Sequence, residues 1–106
     1  MTELDKFLQS IDRPEKSVAT ISKILSALKP QVLLAWLAKA AVKDRKIAGT
    51  YYAEIENNLS AEEFVALYEA LGYDFKSRDI WRDWWCYGSV GCTRQSGYTC
   101  NTGTCT

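Results

Sequence analysis

The chain has 106 residues, with 13 Lys and Arg against 13 Asp and Glu, four cysteines and no histidine. That length holds one small hydrophobic core and no second one. Zero net charge with the cations scattered among acids offers no basic stripe for phosphates, which sets nucleic acid aside as a partner.

The first ten residues, MTELDKFLQS, put acids where a secretory signal needs a basic run and an apolar core. The longest apolar stretch, Val32 to Val42, is broken by Lys39 and falls short of the roughly 20 residues that span a bilayer. Together these predict a chain made as a soluble cytoplasmic protein. Leu4, Phe7, Leu8 and Ile11 recur at helical spacing behind Thr2, a candidate N-cap, and Pro14 stops the run. Val18, Ile21, Ile24, Leu25 and Leu28 draw the stripe of a second helix before Pro30. A third helix is expected from Gln31 to about Ile47, closed by Gly49, apolar in its first half and basic in its second, which suits its C-terminal dipole. TYYAEIENN comes next as a short helix. In LSAEEFVALYEALG, Ser60 and Glu63 have the spacing of a capping box and Gly72 stands where a glycine C-cap belongs. The inner stripe of that helix is Phe64, Leu67, Tyr68 and Leu71, leaving Glu62, Glu63 and Glu69 toward water. Ser77 is the candidate cap of a last helix carrying Ile80, Trp81, Trp84 and Trp85 on roughly one face. Core packing is the ordinary role of such aromatics, and a partner-docking face the alternative. The expected architecture is all-α, a bundle of four to six short helices.

After Trp85 the composition breaks. Residues 86–106 hold all four cysteines and one charged side chain, Arg94, together with glycines and hydroxyl residues. Such a segment buries too little apolar area to offset its ordering entropy, so cross-links are its route to a shape. Cys86, Cys92, Cys100 and Cys105 allow three disulfide pairings, which the sequence does not rank. They also lie beside seven hydroxyls, Ser89, Thr93, Ser96, Thr99, Thr102, Thr104 and Thr106, any of which, once dehydrated to an alkene, can be attacked by a cysteine thiolate to make a thioether. Ser89 to Cys92, Ser96 to Cys100 and Thr102 to Cys105 would close small rings, which are cheap in loop entropy. Thr93 to Cys100 and Thr99 to Cys105 would close larger ones.

In this layout, an acidic helical segment followed by a Ser, Thr, Cys and Gly-rich end, the chain resembles the precursors of ribosomally made, post-translationally modified peptides, and among them the lanthipeptide (lantibiotic) precursors. Leu59-Ser60-Ala61-Glu62-Glu63-Phe64 is similar to the helix near the end of leaders read by class II synthetases, and Trp85-Cys86 with Gly91-Cys92-Thr93 to the first rings of some lantibiotic cores. The resemblance implies a helical leader over about residues 1–82 and a modifiable core peptide over about 83–106, with the boundary between 83 and 89. It implies that Leu59, Glu62, Glu63, Phe64 and Leu67 are read by a lanthionine-forming modification enzyme, the leader tethering the tail at high local concentration. An exporter with a leader peptidase would then cut the leader away, and the mature antimicrobial peptide would be secreted to act at the bacterial cell envelope. The sequence departs from the family at the cut site: the family's double glycine is missing, and Gly88-Ser89 is the nearest candidate.

Two other readings explain the cysteines. Zinc favours tight C-x2-C pairs, and the intervals here of five, seven and four residues contain none, so no metal site is assigned. A helical interaction domain or an unmodified bacteriocin with a disulfide-linked tail is the stronger alternative. An enzyme is disfavoured, because there is no histidine, no phosphate-binding glycine loop and no nucleophile with a base partner, and no cofactor is implied.

Overall fold

The computed structural model of the chain describes residues 2–73, 82–86 and 91–101. Helix α1 (Glu3–Ser10) begins in a capping box, where the Asp5 N–H donates to Thr2 Oγ1 and the Thr2 N–H donates to Asp5 Oδ2. The Thr2 hydroxyl holds the Asp5 carboxyl below its ordinary range. Helix α2 (Glu15–Ser26) starts behind Pro14 and buries Ile21, Ile24 and Leu25. Pro30 opens helix α3 (Pro30–Lys39), where a proline lacking an N–H costs nothing, and Trp36 is that helix's fully buried anchor.

Beyond α3 the all-α expectation, and with it the description of the chain as all-alpha, is overturned. Among the described residues five helices accompany a four-stranded antiparallel sheet, so the fold is mixed α/β. The third helix ends at Lys39 rather than near Ile47, and the chain makes a hairpin of β1 (Ala41–Lys43) and β2 (Lys46–Tyr51). Lys43 pairs with Lys46, and Asp44 and Arg45 between them both have positive φ (52° and 65°), as primed two-residue hairpin turns require. Packing supplies the reason. A helix continued to Ile47 would carry that side chain about 16 Å along the axis beyond Trp36, whereas the hairpin folds it back to 1% exposure in the core. Gly49 is therefore a strand residue and not a helix cap.

The short helix α4 (Ala53–Glu56) buries Ile55. Helix α5 (Ala61–Leu71) bears out the capping reading: the Glu63 N–H donates to Ser60 Oγ, the Ser60 N–H donates to Glu63 Oε1, and Gly72 closes the helix at φ 101°. Phe64, Leu67, Tyr68 and Leu71 all face the core. Arg13 adds a second cap, its Nε–H donating to the Ala70 carbonyl at 2.8 Å, which satisfies a carbonyl at the helix end. Helices α2 and α5 lie side by side.

Ser77, Ile80 and Trp81 of the expected last helix lie outside the described residues. Its remainder is β3 (Arg82–Cys86), which sets Trp84 and Trp85 on opposite faces instead of one, because side chains alternate along a strand. The last strand, β4 (Cys92–Cys100), joins β2 to β3 in the order β1-β2-β4-β3. Fully extended, its eight residue steps would span about 26 Å, yet the Cα atoms of Cys92 and Cys100 are 5.9 Å apart. The segment therefore doubles back, through Gly97 at φ 85°. Its first half pairs with β3 (Trp84 with Arg94, Cys86 with Cys92), and its second half pairs with β2 (Gly49 with Cys100, Thr50 with Thr99, Tyr51 with Tyr98) and, at Thr99, with Arg82 of β3. The tail thus acquires order through backbone pairing and a cross-link, the terms that its own sparse apolar area could not supply.

Candidate functional site

Four fully buried side chains, Trp36, Tyr68, Thr50 and Thr99, meet with the nearly buried Tyr73 where β4 enters the core. The Trp36 indole N–H donates to the Tyr68 hydroxyl at 3.2 Å, and that oxygen lies 2.7 Å from Thr50 Oγ1. Thr50 Oγ1 in turn lies 2.7 Å from Thr99 Oγ1, which also accepts the Thr50 N–H at 3.0 Å, contacts the Tyr73 hydroxyl at 2.6 Å, and donates to the Thr50 carbonyl at 3.3 Å. A hydroxyl has one proton and two lone pairs, three bonds in all, so these four contacts more than fill the capacity of Thr99. Burial pushes the Tyr73 phenol well above its ordinary value, and Tyr68 beside it acts in the same direction. The hydroxyls of Thr99 and Thr50 pull it back in part. A phenol held neutral in a closed, saturated network serves structure, since no reacting group has access to it.

The close approach of β4 depends on Gly49. A Cβ there would stand 2.6 Å from the Thr99 carbonyl oxygen and 2.9 Å from the Trp85 ring. Trp85 packs edge-on to Tyr98 at 4.9 Å, Tyr98 meets Tyr51 at 4.6 Å, and Lys39 Nζ sits 4.1 Å above the Tyr51 ring. Beyond the strand, Asn101 continues the docking, its N–H donating to the Ala48 carbonyl and its amide to the Ile47 carbonyl. Asp83, at φ 63° in the irregular stretch of β3, accepts the Tyr52 hydroxyl at 2.6 Å and the Gly97 N–H at 3.0 Å, so one carboxylate pins the reversal of β4 to the body of the domain.

Of the cysteines, Cys92 and Cys100 are joined in a disulfide, and Cys86 is also disulfide-bonded. Cys105 lies outside the described residues, as do Gly88, Ser89, Thr102, Thr104 and Thr106. The three described tail hydroxyls occupy unlike environments. Ser96 is exposed at the tip with Arg94 and Gln95, Thr93 is half-buried across from Trp85, and Thr99 is fully buried.

The five residues proposed for leader recognition divide similarly. Phe64 and Leu67 are core residues, Leu59 packs against the core, and the Glu63 carboxylate is occupied by its capping bond. Glu62 is exposed, and with Val65, Ala66 and Glu69 it lines a groove of about 750 Å³ whose other wall is Lys16, Ser17 and Thr20 of α2. Among the described residues no three of His, Cys, Asp and Glu gather to hold a metal ion, and no helix is long and apolar enough to cross a membrane.

Sequence reasoning missed Thr50, Tyr73 and Asp83. Thr50 carried a signal, standing in the β-prone run IAGTYY. Tyr73 and Asp83 carried none, since their partners come from 26 and 31 residues away. No family model, curated protein or solved structure matches the chain.

Proposed function

We propose that the chain is the precursor of a modified antimicrobial peptide: the N-terminal part, about residues 1–82, is held by a lanthionine-forming enzyme, and the C-terminal segment, about 83–106, is its substrate. The observation that carries this reading is the reversal of β4, which brings Cys92 and Cys100 together at the foot of a short loop that carries a half-buried Thr93 and an exposed Ser96. Once that disulfide is reduced, hydroxyls so few residues from a cysteine need little further loop entropy to be joined to it. The outer face of α5, with Glu62, Val65 and Glu69 beside the α2 groove, is a solvent-facing surface that an enzyme can hold without disturbing the core. Export with removal of the helical part, and action of the released peptide at the cell envelope, complete the proposal.

A second reading has its own observation. The Cys92–Cys100 disulfide and the burial of Thr99 favour a disulfide-linked interaction domain in which every hydroxyl stays intact. The intact mass of the C-terminal segment separates the two, measured on material from the cell that natively makes the chain and alkylated before and after reduction. Losses of whole waters with sulfurs that stay blocked after reduction are the expected result. A full-mass segment whose thiols appear on reduction would replace the precursor reading with the second one.

A further inference from the structure

A precursor whose tail is modified presents several hydroxyls as candidates, and the fold does not present them equally. Resting on the precursor reading, we infer that the folded chain sorts them: Ser96 is open to the modifying enzyme while the domain is intact, and Thr99 is reached only after the second half of β4 has left β2. Dehydration of either residue makes the same demand. A phosphoryl donor esterifies the hydroxyl, a base takes the Cα proton, the electron pair of that C–H bond becomes the Cα=Cβ bond, and phosphate leaves with the Cβ–O pair. Donor and base must therefore approach the Oγ and the Cα hydrogen of one residue together.

At Ser96 the hydroxyl side is open, although Gly97 next to it packs against Tyr51. The residue is exposed at the reversal, its neighbours Arg94 and Gln95 are exposed too, and Gly97 places no Cβ beside it. At Thr99 the same approach is closed on every side. The hydroxyl has no solvent exposure and is bound by Thr50 and Tyr73, its carbonyl lies against Gly49, and the strand that carries it is flanked by β2 and continued by the two Asn101 hydrogen bonds. Dehydration at Thr99 then proceeds through a locally opened state, and its rate falls by the fraction of molecules in that state. The helical part thus has a second role beyond being held by the enzyme: by donating β2 and Tyr73 it shields one hydroxyl and sets the order of modification.

The test is a time course of the full-length chain in the cell that natively makes it, with fragmentation mass spectrometry assigning each lost water to a residue. Thr99→Ser is the reference background, because it keeps a hydroxyl at the site and removes the difference between serine and threonine. Ser96 is expected to lose water roughly tenfold faster than position 99, or more, as for any reaction gated by local opening. Adding Gly49→Ala, whose new methyl group pushes Thr99 and β4 away, should shrink that ratio severalfold. Equal rates at the two positions, or a ratio unmoved by Gly49→Ala, would overturn the sorting and leave the precursor reading standing. No water lost at any residue would overturn both.

Discussion

Replacing Thr99 by Val removes one oxygen and almost no volume, so its effect isolates the hydrogen bonds that root the tail in the core. The Thr50 N–H loses its contact at Thr99 Oγ1, and the Tyr73 hydroxyl loses one at 2.6 Å, both without access to water. A buried donor that loses its acceptor costs about 1–3 kcal/mol, and the Tyr73 hydroxyl, which keeps Thr50 as a partner, about 1 kcal/mol more, which gives about 2–4 kcal/mol for the substitution. That is a large share of the roughly 5–15 kcal/mol by which a domain of this size is stable, and corresponds to a fall of roughly 10–20 °C in Tm. Urea unfolding of the oxidised chain, followed by far-ultraviolet circular dichroism, reads the difference directly. Thr93→Val makes the same chemical change at a half-buried position of the same strand and should cost under about 1 kcal/mol. A loss below about 0.5 kcal/mol at Thr99, or equal losses at the two positions, would refute the view that this network holds β4 in place.

The same geometry sets three further outcomes. Gly49→Ala should destabilise by about 1–3 kcal/mol, the usual cost of overpacking, and red-shift tryptophan emission as Trp85 is displaced, because a backbone oxygen 2.6 Å away cannot rotate aside. Tyr73 should impose an alkaline limit: its folded-state pKa is raised, so the neutral phenol contributes stability below the ordinary value near 10, and that contribution is lost as pH rises beyond it, by up to about 1.4 kcal/mol per pH unit. Tyr73→Phe should therefore be less stable at pH 7 and show a shallower loss between about pH 10 and 11.5 in denaturant titrations, and parallel curves would count against the assignment. Removing the Cys92–Cys100 cross-link by Cys92→Ala with Cys100→Ala should cost about 2–3 kcal/mol, as expected for closing so short a loop, and unchanged urea midpoints would mean that backbone pairing alone holds the reversal.

Local rules were legible wherever one segment carried both halves of an interaction. The N-cap at Thr2, the capping box at Ser60, the glycine cap at 72, and the buried stripes of α1, α2 and α5 each depend on residues within one or two turns, so spacing alone predicts them. The strands were not legible for the opposite reason. Ala41 to Ile47 reads as the end of a helix until the core claims Ile47, and Arg82 to Trp85 reads as the end of a tryptophan-bearing helix until β4 offers it a partner. A short strand has no stability of its own to announce in sequence, because its hydrogen bonds are made to residues far along the chain.

Composition and spacing were enough to divide the chain into a charged, helix-forming part with its caps and stripes, and a thiol- and hydroxyl-rich end that needs cross-links because it lacks apolar area. That this end enters the core as a strand, that Cys92 joins Cys100, and that Thr99 is sealed while Ser96 stays open emerge only once the whole chain is folded. Those outcomes rest on contacts across as many as 54 residues, between Ile47 and Asn101. No local periodicity records such contacts, since which distant groups meet is set by how the whole chain packs.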